Sequence, residues 1–445
     1  MPERFVPPHP PRPPRPVASW RGFFGERARN TVFGWSEHAF EKWYFRRKIL
    51  RFMVHVPLHP DAIQRVLLDN AANYIKPDVV KALTGPTIGR GLLTADGQLW
   101  RDQRRIVAAS FAPAAIEGLT AIFAAAAEER AARWSAGAVR DMAAEATATT
   151  MNIIADSLFS GDPRLKTVEA TAFISDALEA ASEARLAAIL GLPQIGWTTG
   201  MRKGQRGTRF LRDTLGALVS ERVESPRDDF LGTIVTELRQ RFPADEAFEL
   251  AVDNATTFYL AGHETTANTV SWTLLMLAEQ PELQDAVAAE ARAAIGGDDL
   301  PERLPLLRRV VEETMRLYPP APRFDRQALA ADELHGNQVE PGDIISVWPW
   351  LIQRHKRLWD DPDAFDADRF LPERRASQHR FQYIPFGGGP RVCVGARFAM
   401  AEALTILTMW LARWSFESIA GHEVRPVGTV TLRPGGGLPL LVQAS

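Results

Sequence analysis

Along most of the chain apolar residues recur at helical spacing, and only short stretches read as strand. Residues 97–110 and 114–135 are helical by pattern and rich in alanine. More helix follows to about residue 225, with breaks near Gly161, Pro193 and the Thr-Thr-Gly of 198–200. The longest candidate runs from about Asp245 to Gln280 and stops at Pro281. At 1.5 Å per residue it spans roughly 54 Å, enough to cross a whole domain. It carries Asp253, Asn254, His263, Glu264 and Asn268, so it is not a membrane span. A further helix is expected over residues 302–318, ending at Pro319-Pro320, and the last long one from Ala396 to Trp414. Strand signals are fewer. KILRFMVHV at 48–56 reads as one strand and leads into a short helix in HPDAIQRVLLDN, with Pro60 near its first turn. IISVWPW and the glycine-flanked stretches near 335–343 read as hairpin strands, and residues 423–443 as a terminal hairpin. The pattern predicts a mainly α chain with minor β.

No internal repeat is found, and after residue 17 no linker marks a boundary. The expectation is a proline-rich tail over residues 1–16 and a single domain over 17–445. The opening MPERFVPPHPPRPPRPVASW has no apolar signal segment, and its prolines favour an extended polyproline form. It reads as a frayed tail, or else as a short strap lying on the domain.

Composition mainly excludes. With 52 basic and 54 acidic residues the net charge is −2, so no global field points to nucleic acid. The single cysteine rules out an internal disulfide, zinc ribbons, Cys-x-x-Cys redox pairs and cysteine-ligated iron–sulfur clusters. The nine histidines show no His-Glu-x-x-His spacing. A soluble, cytoplasmic protein without a membrane span is expected, although the cysteine count fits secretion almost as well.

That one thiol, Cys393, lies in PFGGGPRVCVG at 385–395. Glycines let backbone pass close to a bulky flat object or adopt positive φ. A helix pattern starts directly behind the cysteine, and a helix N-terminus favours the thiolate. Arg391 can pair with a carboxylate at the edge of the same object. Such a thiolate suits an axial ligand to haem iron. The alternative is an inert cysteine in an ordinary tight turn.

The spacing Phe386-x-x-Gly389-x-Arg391-x-Cys393-x-Gly395 resembles the signature of the cytochromes P-450. The resemblance implies that Cys393 is the proximal ligand of haem b (iron protoporphyrin IX), that Phe386 packs near it and that Arg391 holds a propionate. Backbone N–H groups, including that of Gly395, would temper the sulfur's charge. Four further motifs occur in the family's order. AGHETTA at 261–267 is similar to its oxygen-binding motif. Gly262 and the two threonines weaken a helix interior by roughly 1–2 kcal/mol, so a widened turn there is expected. Glu264 and Thr265 would relay protons through water; on sequence alone they read equally well as a solvent-facing pair. Glu313 and Arg316, with Arg369 of FDADRF, resemble the family's buried structural triad, although Ala367-Asp368 replaces its usual Pro-Glu. Without the resemblance they form a surface ion pair. Trp100 and Arg104 resemble a propionate clamp on a distal helix, and otherwise lie on an exposed helix. Arg326 matches a further propionate-binding arginine, with Arg323 as its rival.

The resemblance implies a helix-rich triangular prism with haem between the long helix and the cysteine loop. It implies a monooxygenase that inserts one atom of O2 into a hydrophobic small molecule by hydroxylation or epoxidation. The substrate would be fatty-acid-like, terpenoid or aromatic, with a slight lean to fatty-acid hydroxylases. A peroxide-driven peroxygenase and a non-catalytic haem-thiolate sensor are the alternatives. Only about thirty residues follow Trp414, so electrons are expected from a separate ferredoxin or flavodoxin with its reductase. It would dock near Cys393 on Arg391 and Arg397, with Arg101 and Arg105, unless these serve propionate pairing and ordinary surface. The pocket would draw on Phe258, Leu260, Ala261, Phe324 and Leu438, each of which equally suits plain core.

Overall fold

A computed structural model describes residues 4–15, 25–49, 52–183, 198–297 and 300–445. The chain folds into two compact units. The first comprises Met1–Ile75, Phe123–Thr147 and Thr265–Ser445, and the second Lys76–Ile122 and Ala148–Glu264. Helices dominate, with minor sheets.

All the described strands belong to the first unit. Its larger sheet runs in the order Tyr44–Ile49, Phe52–Pro57, Ile344–Val347, Phe324–Ala328 and Tyr74–Ile75. The expected strand over 48–56 is therefore two antiparallel strands, with Ile49 opposite Phe52. The reading over 48–56 takes in the end of the first strand, whose Arg46, Arg47 and Lys48 break the apolar pattern, together with the apolar second one. Near the C-terminus Pro439–Ala444 lies between Ala138–Asp141 and Trp414–Ser418. Of the terminal hairpin expected over 423–443, only Arg425–Gly428 and Leu432–Gly435 pair with each other, and Pro439–Ala444 joins the other sheet instead. Residues 4–15 form a strap on this unit: Phe365 N–H donates to the Phe5 carbonyl (2.9 Å), and the Tyr318 hydroxyl to that of Pro8 (2.5 Å). Arg12 donates to Asp363 (2.8 Å) and stacks over Phe40. The frayed-tail reading is thus replaced by the strap over these residues.

The second unit is helical. It contains Asp78–Ile88, Gly97–Ala108, Val168–Glu183, Thr199–Glu224 and Phe230–Arg241. The break expected at Pro193 lies outside the described residues. Thr198 caps the helix that follows by accepting from Met201 N–H (3.0 Å). An aromatic cluster of Phe111, Phe230 and Phe258 forms part of the unit's core, with centroids 4.9–5.6 Å apart.

The long helix is Ala244–Ala278, in the second unit up to Glu264 and in the first from Thr265. Pro281 opens the next helix, Pro281–Ala294, at its first position, where a missing N–H costs nothing. No single helix among the described residues is long and apolar enough to cross a membrane.

Candidate active site

The cysteine loop precedes the helix Ala396–Leu411. Cys393 N–H donates to the Phe386 carbonyl (2.9 Å), which closes the loop and leaves the thiol exposed. No side chain caps this helix at Gly395, which leaves its first N–H groups without a side-chain acceptor there. The glycines answer to protein neighbours. Gly387 and Gly389 have φ +74° and +66°. A Cβ on Gly389 would lie 1.7 Å from the Leu67 carbonyl oxygen, and one on Gly388 2.7 Å from the Phe381 ring. The loop thus rests on the helical turn Arg65–Asp69, part of the short helix expected in HPDAIQRVLLDN.

Beside the loop, the Phe324 ring comes within 4.0 Å of where a Cβ on Gly387 would sit. Arg326 is buried and its guanidinium lies over Phe324 (5.4 Å). Its rival Arg323 is paired with Asp325 (2.6 Å), which also accepts from Ser346 (2.6 Å). Arg391 and Phe386 are half-buried, and Leu438 is fully buried.

Glu313 is the centre of a buried cluster in the same unit. Arg316 donates to both of its carboxylate oxygens (2.7 and 2.8 Å), and Arg369 to one (3.3 Å). Arg316 also donates to the carbonyls of Gln353, Pro362 and Ala364 (2.7–3.0 Å). Asp366 stabilises the Ala367–Phe370 turn by accepting from Asp368 N–H, and its own N–H donates to Glu313. This satisfies the turn despite the replaced Pro-Glu.

On the long helix no widened turn interrupts residues 261–267. Gly262 is needed for packing instead, because a Cβ there would lie 2.5 Å from Ile154. Thr150 donates to the His263 carbonyl (3.0 Å). His263 is buried and its Nδ1–H donates to the Tyr259 carbonyl (3.0 Å). Burial lowers its pKa, opposed by the Glu264 charge, so it stays neutral at pH 7. Glu264 and Thr265 are half-buried, and Ala261 is exposed although residues 250–260 are buried. Leu260 and Phe258 are buried, the latter between Phe111 and Phe230. Trp100 and Arg104 are one turn apart and half-buried in the second unit.

Glu402, on the helix behind Cys393, drew no notice in the sequence. It is fully buried, and neither it nor Thr266 beside it makes a hydrogen bond of normal geometry. Burial raises its pKa well above the ordinary value, which favours the protonated form.

The donor set fits haem: one exposed thiol at an uncapped helix start, with a buried guanidinium on a neighbouring strand of the same unit. Comparisons agree. The family model "Cytochrome P450" matches residues 11–436. Cyclooctatin synthase of Streptomyces melanosporofaciens is 31% identical over 86% of this chain and 84% of its own. Pentalenene oxygenase of Streptomyces avermitilis is 29% identical, covering 85% of each chain. The crystal structure of the cytochrome P450DA heme domain shares the fold with TM-score 0.81 at 21% identity, over 99% of both chains. The chain therefore belongs to the cytochrome P450 family, the haem-dependent monooxygenases.

Proposed function

We propose that this P450 inserts one oxygen atom from O2 into an apolar, terpenoid-like small molecule, with electrons from a separate ferredoxin or flavodoxin. The observation that carries the reading is the exposed Cys393 thiol on its braced loop, in a chain whose long helix also presents Glu264 and Thr265. The terpenoid class is supported by the names of the two Streptomyces relatives and by the apolar side chains of Phe324 and Ala261. It is preferred to the fatty-acid lean of the sequence.

Haem b, held by Cys393, supplies oxygen activation and transfer. Arg391, Arg326, Trp100 and Arg104 would hold its propionates; the engagement of Arg323 with Asp325 favours Arg326 in that role. Glu264 would take up protons from water, and the Thr265 Oγ would pass them inward to the site. His263, neutral and tied to the Tyr259 carbonyl, does not compete as a proton donor. Residues 17–445 act as one catalytic domain. The redox protein docks on Arg391 and the exposed Arg397, joined by Arg101 and Arg105.

The test has two stages. Reduced protein with carbon monoxide is expected to show the red-shifted thiolate band, and Cys393→Ser to lose it. A terpenoid panel is then screened for displacement of haem-bound water, and hits are turned over with a ferredoxin and its reductase. Thr265→Ala is expected to uncouple electron use from product by about tenfold or more. Full coupling in that variant, or turnover only with peroxide, would overturn the reading.

A further inference from the structure

A widened helical turn does occur in the first unit, at Arg65–Asp69, where Asn70 N–H donates five residues back to the Arg65 carbonyl (2.8 Å). Such turns are rare, and frequent at functional sites. One carboxylate holds this turn at both ends. Asp332 accepts from the Arg65 guanidinium (2.8 and 2.6 Å) and from the Asn70 side-chain amide (2.9 Å), the two residues whose backbones close the turn. It also accepts from the Tyr74 hydroxyl (2.7 Å) and from Glu333 N–H (2.8 Å), so donors occupy both of its oxygens. Asp332 opens the hairpin of Asp332–Leu334 and Asn337–Val339. That hairpin grips the same segment upstream, where His335 at its tip stacks on His59 with ring centroids 4.9 Å apart. Downstream, Asn73 exchanges two hydrogen bonds with Ala330 (3.0 and 2.8 Å). Residues 59–74 are thus held along their length by residues 330–335, far away in sequence.

What the held segment offers is the Leu67 carbonyl, against which Gly389 of the cysteine loop sits with no room for a Cβ. A Cβ on the neighbouring Gly388 would lie 2.7 Å from the Phe381 ring and 3.6 Å from the Leu67 side chain. Phe381 belongs to the turn Arg380–Gln382, which is capped by His379; that imidazole reaches Asp61 of the same segment (3.3 Å). Both contacts that seat the loop corner therefore trace back to residues 59–70. Cys393 follows four residues after Gly389. We propose that Asp332 is a positioning residue for Cys393: by locking the Arg65–Asp69 turn it fixes the Leu67 seat, and through that seat the Gly388–Gly389 corner and the place of the sulfur. This rests on the reading above that Cys393 holds the haem. The lock can be opened without stranding a charge, since the Arg65 side chain is 47% exposed while that of Asp332 is 3% exposed.

The experiment is hydrogen exchange of full-length haem-loaded protein, read by mass on its peptides, together with the lifetime of the carbon monoxide band in dilute urea. In Asp332→Asn one carboxylate oxygen is replaced by an amide nitrogen that faces donors. Exchange in the peptide spanning 384–394 is expected to rise about tenfold and the thiolate band to decay about tenfold faster, with the peptide around Glu313 unchanged. Arg65→Ala leaves three donor groups on Asp332 and should raise both rates by about threefold. The double variant should go no further than Asp332→Asn alone. A lower unfolding temperature with unchanged loop exchange and band lifetime overturns the inference, as does a rise spread evenly over all peptides. If Asp332→Asn does not fold, Arg65→Ala decides alone, since that side chain is half in water. A wild type that never shows the thiolate band overturns the functional reading and this inference together. A normal wild-type band with unaltered exchange in the variants removes only the role of Asp332.

Discussion

Glu402 shows how much one buried group can impose. In the unfolded chain its carboxyl ionises near the usual 4.5, while in the fold burial keeps it protonated to a higher pH. The folded state therefore binds the extra proton, and stability falls as pH rises from the unfolded value to the folded one. Glu402→Gln removes that slope. The variant should gain about 1–3 kcal/mol on the wild type at pH 8 and little at pH 4, read from urea midpoints across pH. Two loop glycines give a second contrast. Gly387→Ala meets the strain of positive φ, roughly 1–2 kcal/mol, and no protein atom closer than 4.0 Å. Gly389→Ala adds a collision with the Leu67 backbone at 1.7 Å, which no side-chain movement relieves. It should lower the unfolding midpoint further than Gly387→Ala does.

At the scale of elements, the Glu313 cluster ties helix Pro305–Leu317 to the Ala367–Phe370 turn. Glu313→Gln leaves two buried guanidiniums without their anion and should cost about 3–5 kcal/mol, measured as a fall in the unfolding midpoint. Arg316→Lys should be nearly as damaging, since one ammonium cannot reach three carbonyls and a bidentate carboxylate. The long helix and the helix behind Cys393 were legible because a sustained helical period and a stopping proline or glycine are local signals. So was the chemistry of Cys393, since a lone thiol among glycines has few uses. The helices Asp78–Ile88 and Phe230–Arg241 were not identified. The first contains Pro86 and a glycine, which break the pattern. Nor were the reasons for Gly262 and Gly389, which answer to Ile154 and Leu67, far off in sequence. Asp253 was noted only as a charge that bars a membrane span; its partners Arg90 and Arg212 are joined to it by tertiary folding alone.

At the scale of the molecule, the proline strap takes part in the charge balance of the first unit. Arg354 is almost fully buried over Trp350, and burial pulls its pKa down to about 9, with Asp363 (3.6 Å) opposing. Asp363 is shared with Arg12 of the strap. Arg12→Ala leaves Asp363 with Arg354 and should cost about 1–2 kcal/mol, whereas Asp363→Asn strands Arg354 and should cost about 3–5 kcal/mol. Thermal unfolding of the two variants orders them. The exposed thiol has a practical consequence as well. With a single sulfhydryl per molecule, a colourimetric disulfide reagent titrates the unliganded fraction of any preparation one for one. Every batch thus carries an internal gauge of how completely it has been assembled, readable before any catalytic assay.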